Sequence, residues 1–260
     1  MKKDYILFID SGIGGLTTLS QSVKILPANY LYYADNKNAP YGNHKKTEIF
    51  NYLKNIISSL ISKYNIKIIV LACNTATTSA IDKLRNTFKE IIFVGTEPAV
   101  KLANSLGFNK IFCATTPATL KQNKFKSLNK SINSQTQLYS PKMLAMCIEN
   151  YYKRKNIKNY FYLNKELFSL LQKSKNSDCI VLGCTHYVFI KECLNILTNQ
   201  TIIDGNIGVA KQLQKIHHKL TLSQNTKSSI KFFVSNPNIC SKEIYKKIFQ
   251  EILAKVWNVC

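Results

Sequence analysis

Long apolar runs are missing from this 260-residue chain; no stretch of eighteen consecutive apolar residues occurs, so a membrane-spanning helix is not expected. Glycine (9) and proline (6) are too scarce for a low-complexity or collagen-like chain. The first apolar run, Tyr5 to Ile9, is closed by Asp10, too early for the central region of a secretory signal. Arginine occurs only at Arg85 and Arg154, and no compact Lys/Arg run interleaves with aromatic residues. No CxxC pair occurs, and His44, His217 and His218 stand at no ligand-like spacing from Cys184 or His186, which argues against zinc. No Ser/Gly-rich linker divides the chain.

Hydrophobic residues make up 45% of the sequence, enough to bury a substantial core. The charge is lopsided: 36 basic side chains against 14 acidic ones leave a formal +22. Lysine supplies nearly all of the excess and is spread from Lys2 to Lys255. The charge therefore reads first as a solvated lysine-rich surface and second as a polyanion-binding property. Eight cysteines in a chain of this length, with no recognisable secretory signal, read as thiols in a reducing cytoplasm.

Short apolar runs alternate with helix-like stretches. Tyr5 to Ile9, Tyr30 to Ala34, Ile66 to Ala72, Ile91 to Val94, Ile111 to Ala114, Cys179 to Leu182, Thr201 to Ile203 and Ile230 to Val234 read as strands. Thr47 to Lys63 carries apolar residues at helical spacing, with Thr47 placed to cap it, and Ser241 to Val256 has a similar pattern. Ser127 to Leu138, rich in polar residues, reads as a loop. Such an order predicts parallel sheets covered on both faces. Within it, Ile69-Val70-Leu71-Ala72-Cys73-Asn74-Thr75 is echoed by Ile180-Val181-Leu182-Gly183-Cys184-Thr185-His186. The likeness continues past the strands into polar residues, where packing imposes none. The prediction is an α/β fold of two pseudo-symmetric lobes with the site in the cleft between them: 1–96 plus 207–260 carrying Cys73, and 97–206 carrying Cys184.

In open α/β sheets ligands bind beyond the carboxyl ends of the strands, where Asp10-Ser11-Gly12, Cys73-Asn74-Thr75, Thr115 to Thr119 and Cys184-Thr185-His186 fall. A cysteine just before a helix meets unpaired N–H groups, which favour thiolate over a thiol that ordinarily titrates near ~8.5. A cysteine-nucleophile hydrolase would use Cys184 with His186 but would leave the matching Cys73 unexplained. A symmetrical pair suits a nearly symmetrical reaction, in which one group takes a proton from one face of a carbon while the other delivers one to the opposite face. The competing reading is nucleotide binding: Asp10-Ser11-Gly12-Ile13-Gly14-Gly15 resembles a phosphate loop, with Asp35 in place of a ribose-binding acid, although Thr17 stands where the third glycine belongs.

Asp10-Ser11-Gly12-Ile13-Gly14-Gly15-Leu16, Ala39-Pro40-Tyr41-Gly42, Ala72-Cys73-Asn74-Thr75-Ala76 and Gly183-Cys184-Thr185-His186-Tyr187 resemble, in order and spacing, the motif series of bacterial glutamate racemases, within the aspartate/glutamate racemase family. The resemblance implies two α/β lobes, no cofactor and no metal, and interconversion of L- and D-glutamate for peptidoglycan synthesis. It implies that Cys73 deprotonates D-glutamate with Asp10 assisting, and that Cys184 deprotonates L-glutamate with His186 assisting. Ser11, Pro40, Tyr41, Gly42, Asn74, Thr75, Thr116, Thr119 and Thr185 would hold the substrate, mainly through hydroxyl and backbone N–H groups, which needs no arginine. Relatives acting on aspartate or hydantoins make the substrate less fixed than the reaction. A cytoplasmic homodimer is the expected state. Some glutamate racemases also inhibit a DNA topoisomerase, so the +22 charge leaves such a contact, or a nucleic-acid one, as a further partner class. The sequence departs from the family at Val188, where proline is common. It departs again across Ser140 to Glu149, a poor match to a Pro-rich segment whose glutamate assists one cysteine, so no role is assigned to Glu149.

Overall fold

A computed structural model describes residues 3–121, 134–220, 222 and 225–254. Two parallel sheets organise it. The first runs β4-β3-β1-β2-β9, built from β1 (Asp4–Asp10), β2 (Asn29–Ala34), β3 (Asn65–Leu71), β4 (Ile92–Gly95) and β9 (Ser229–Val234). The second runs β6-β5-β7-β8, built from β5 (Lys110–Thr115), β6 (Gln135–Tyr139), β7 (Cys179–Gly183) and β8 (Thr201–Asp204). Every neighbouring pair is parallel. The fold is thus α/β with two sheet-centred lobes.

The near-continuous apolar strands follow from burial on both faces. All five residues of β7 are buried, as are Ile6 to Asp10 in β1. One outer layer covers the first sheet, where α2 (Lys46–Ile61) and α3 (Asn74–Thr87) bury Ile49, Leu53, Ile57 and Leu84 against Leu7, Ile9, Ile69 and Leu71. The opposite faces of both sheets share a single apolar cluster that joins Phe8, Tyr32 and Val70 of one lobe to Phe112, Ile148 and Ile180 of the other. Into that shared interior pack α1 (Gly15–Ile25), α6 (Leu144–Arg154), α7 (Ile157–Ser174), α9 (Asn206–Lys219) and α10 (Lys242–Leu253). The shorter α4 (Val100–Ser105), α5 (Pro117–Leu120) and α8 (Lys191–Leu197) complete the described helices named here. Because one core serves both lobes, the strand ends are held in fixed relation.

The eight expected strands all form, within a residue or so at each end. Three local expectations are corrected. Gln135–Tyr139 is not loop but an edge strand beside β5, its polar residues reflecting an exposed sheet edge; residues 127–133 of that expected loop lie outside the described residues. Thr47 does not cap α2: the chain turns helical one residue earlier, and the Glu48 carboxylate accepts the Lys45 N–H at 2.7 Å. The last helix ends at Leu253, and Val256 lies outside the described residues. Cys73, Cys113, Cys147, Cys179, Cys184 and Cys240 are free thiols, whereas Cys193 is disulfide-bonded, which corrects the reading of eight thiols. Among the described residues no helix is long and apolar enough to cross a membrane.

Candidate active site

The two echoed segments end in the same way. β3 delivers Cys73 to the N-terminus of α3 with extended backbone (φ −136°, ψ 120°), and its carbonyl accepts the Thr77 N–H. β7 delivers Cys184 to a 3-10 helix, Thr185–Ile190, with nearly the same backbone (φ −143°, ψ 137°), and its carbonyl accepts the Tyr187 N–H. The side chains are only 8% and 7% exposed, and both line one cavity of about 310 Å³. Ser11, Pro40, Tyr41, Gly42, Asn74, Thr75, Thr116, Thr185 and His186 also line it. The Thr75 and Thr116 hydroxyls lie 3.3 Å apart, closing the cavity between the sheets.

Two expected residues stand behind the wall rather than on it. Thr119 is fully buried and contacts Thr116, with 3.0 Å between their hydroxyl oxygens. Asp10 is also fully buried; its carboxylate accepts the Gly12 N–H at 2.7 Å and the Thr185 hydroxyl at 3.3 Å. Unanticipated wall residues come mainly from the start of α6 and the segment before it: Pro141, Lys142, Met143, Ala145 and Met146, with Lys142, Met143 and Met146 exposed at the rim. Sequence reading passed over them because the segment matched its expected pattern poorly.

Burial raises the Asp10 carboxyl from 3.8 to about 6, outweighing the opposing charge of nearby His186 and the Gly12 N–H. Cys73 runs opposite to the helix-terminus expectation. Burial and the adjacent Asp10 push its thiol well above the usual range, outweighing the Ala76 and Thr75 N–H groups that act the other way. Unliganded Cys73 is therefore a neutral thiol. The first turn of a helix offers a fraction of a charge, whereas removing a thiolate from water beside a carboxylate opposes ionisation more strongly.

The Cys184 side has a different partner set. His186 Nδ1 lies 4.0 Å from Cys184 Sγ, and its Nε2 lies 2.5 Å from Glu149 Oε2. Burial alone would lower the imidazole, yet Cys184 and Glu149 hold it well above its ordinary value, so an imidazolium faces Cys184. For Glu149 burial acts upward, but the hydrogen bond and charge of His186, the Lys153 ammonium and the Ile13 N–H bring it down to about 2. Glu149, left without a role by the sequence, thus holds the far side of His186. The available signal was phase: α6 buries Leu144, Cys147, Ile148 and Tyr152, and an acid with lysine four residues on sits beside that face.

The glycine-rich loop is filled by this network rather than open to phosphate. A Cβ on Gly12 would lie 2.5 Å from Glu149 Oε2, and one on Gly14 would lie 2.6 Å from His186 Nδ1. The Ile13 N–H, which a nucleotide phosphate would need, already donates to Glu149 at 3.0 Å. Asp35 is fully buried and accepts the Tyr41 hydroxyl at 2.8 Å and the Asn38 amide at 3.0 Å, so it faces no ribose. Both findings count against the nucleotide-binding reading. Among the described residues no cluster of three or more His, Cys, Asp or Glu is disposed to hold a metal ion. What remains is a cavity with one thiol from each lobe, each with its own ionisable partner, and hydroxyl and amide groups between them.

The chain is similar to the glutamate racemase of Clostridium novyi (strain NT), 38% identical over 248 residues that span 92% of this chain and 93% of that protein. It is similar to glutamate racemase 2 of Bacillus subtilis (strain 168), 37% identical over 257 residues, 94% of each chain. Among solved structures it is similar to a glutamate racemase isoform of Bacillus anthracis, with a TM-score of 0.80 at 24% identity, covering 98% of this chain and 95% of that one. No protein-family model matches it.

Proposed function

The chain belongs to the glutamate racemase family and is an isomerase that interconverts L- and D-glutamate; we propose that Cys73 and Cys184 perform the inversion from opposite faces of the α-carbon. The observation that carries this assignment is the meeting of two equivalently placed cysteines, one per sheet, in one cavity. In the L-to-D direction Cys184, faced by the His186 imidazolium, acts as the base and takes the α-proton. The C–H electron pair moves into the carboxylate-conjugated carbanion, and Cys73 delivers its thiol proton to the other face. The D-to-L direction reverses each transfer, with Asp10 assisting Cys73 and the Glu149–His186 pair assisting Cys184. The α-proton is a very weak acid, so stabilisation of the carbanion decides the rate. Ser11, Asn74, Thr75, Thr116 and Thr185 would supply hydrogen bonds to the substrate with water excluded. The product D-glutamate serves peptidoglycan synthesis. The reaction is placed in the cytoplasm, with Cys73 and Cys184 as free thiols, and a homodimer is the proposed assembly, measurable by light scattering.

Circular dichroism of D- and L-glutamate incubated with reduced protein tests the assignment. Loss of optical activity from either enantiomer, abolished by Cys73→Ala and by Cys184→Ala, is the expected result. Undiminished racemisation by either folded variant would remove that cysteine from the mechanism. α-Proton exchange in deuterated water with aspartate and not with glutamate would overturn the substrate.

A further inference from the structure

Lys153 lies four residues beyond Glu149 on α6, and its ammonium is 2.5 Å from Glu149 Oε1. The two side chains are only 13% and 15% exposed. Glu149 Oε1 itself is sealed from solvent and, among the described residues, has the Lys153 ammonium as its counter-charge and accepts no hydrogen bond, whereas Oε2 carries both the His186 and the Ile13 contacts. The ammonium is also held 5.4 Å from the centroid of the Tyr245 ring on α10, in the other lobe. A lysine fixed between a buried carboxylate and an aromatic face is not part of a solvated basic surface. It is the outermost member of a line running Cys184, His186, Glu149, Lys153.

Resting on the racemase reading of the site, we propose that Lys153 is a positioning residue for the Cys184 half of the reaction: it neutralises the far oxygen of Glu149, which keeps the shared proton on His186 and the imidazolium facing Cys184. The physical reason is proximity. A cation in contact with Oε1 lowers the proton affinity of Glu149 more than that of the more distant imidazole. Without it the proton of the Nε2–Oε2 contact moves toward the carboxylate, and the positive charge facing Cys184 weakens. Among the titratable groups around this line, Asp10 and Cys184 face His186. Tyr245, Tyr32 and Cys240 interact with Glu149. None of these supplies a second cation.

The test must respect the thermodynamics of racemisation. Two enantiomers have equal free energy in water, so kcat/KM is the same in both directions for any variant, and a directional defect cannot appear there. It appears in primary isotope effects. α-Deuterated L-glutamate loses its label to Cys184 and α-deuterated D-glutamate to Cys73, so slowing the Cys184 transfer raises the first isotope effect and lowers the second. For Lys153→Met we expect kcat/KM to fall about tenfold or more in both directions, with that opposed change in isotope effects. Lys153→Arg, which retains the cation, should restore both isotope effects toward wild type. Lys153→Gln serves as the parallel neutral variant should Lys153→Met fold poorly. Isotope effects that match wild type in a folded neutral variant, with or without loss of rate, would overturn the proposal. So would an Arg variant that behaves like the neutral ones. Wild-type protein that neither racemises glutamate nor exchanges its α-proton would instead remove the racemase reading on which the proposal stands.

Discussion

Replacing Asp10 by asparagine should stabilise the protein while disabling it. The carboxyl binds its proton more tightly in the folded chain, at about 6, than in the unfolded one, at 3.8. A group raised in this way favours folding fully below pH 3.8, and that advantage is lost as pH rises through 6. Above pH 6 the folded state therefore carries the cost of an ionised, buried carboxylate. The interval between 3.8 and about 6, at about 1.4 kcal/mol per pH unit, sets that cost at about 3 kcal/mol near pH 7.5, with about half a kcal/mol left at pH 4. An asparagine keeps the Gly12 contact through its carbonyl oxygen and can donate to the Thr185 hydroxyl in place of accepting from it. Imperfect amide geometry would take back about 1 kcal/mol, leaving a net gain of about 2 kcal/mol at pH 7.5. Urea unfolding of both proteins at pH 7.5 and pH 4 measures it, read as a shift in midpoint at unchanged slope. Racemisation should fall by about a hundredfold or more if Asp10 is the acid–base partner proposed for Cys73. An Asp10→Asn protein less stable than wild type at pH 7.5, or a stability difference of equal size at pH 4, would refute the reasoning.

Two other substitutions follow from contacts in the wall. Gly12→Ala places a methyl 2.5 Å from Glu149 Oε2, so the carboxylate must move off His186; activity should drop, with about 1–3 kcal/mol of destabilisation in urea. Wild-type turnover in that variant would show that the Glu149–His186 contact is dispensable. Tyr41→Phe removes the hydroxyl that donates to fully buried Asp35 at 2.8 Å and should cost about 1–3 kcal/mol by the same assay, while a neutral result would mean that Asn38 alone satisfies the carboxylate.

Much of the architecture was legible because its strands carry continuous apolar runs that only a sheet buried on both faces requires. The two cysteines were legible because their surroundings repeat beyond the strands, into residues that packing does not constrain. The edge strand Gln135–Tyr139 was not, since its run of polar residues, Gln135-Thr136-Gln137, is also what a loop shows, and its pairing with β5 is made at a distance in sequence. The state of Cys73 was misjudged for a related reason. A helix N-terminus is a local signal, but the burial and the Asp10 charge that oppose it arise from other elements. Glu149 was missed because its place in the site depends on two partners from remote segments, Ile13 and His186, and on glycines that leave room for it.

The two half-sites are not chemically alike, although the reaction they serve is nearly symmetrical. A proton-transfer inversion needs one base and one acid at any moment, so two thiols with identical surroundings would start in identical protonation states. Here the surroundings differ: burial beside Asp10 keeps Cys73 a thiol, while the partner that faces Cys184 is the His186 imidazolium. On the proposed mechanism, a protonated Cys73 is the arrangement that receives L-glutamate, with Cys184 as base. Receiving D-glutamate requires the opposite arrangement, in which Cys73 has lost its proton. On that mechanism Asp10, its carboxyl raised to about 6 by burial and hydrogen-bonded to Thr185 beside Cys184, is placed to exchange a proton as the site resets. It follows that Asp10→Asn should slow the return between the two enzyme forms as well as the chemical step. In that variant, progress curves begun from high concentrations of one enantiomer should bend as the slow enzyme form accumulates. Straight initial phases at saturating substrate, with the chemical step alone slowed, would place the exchange elsewhere.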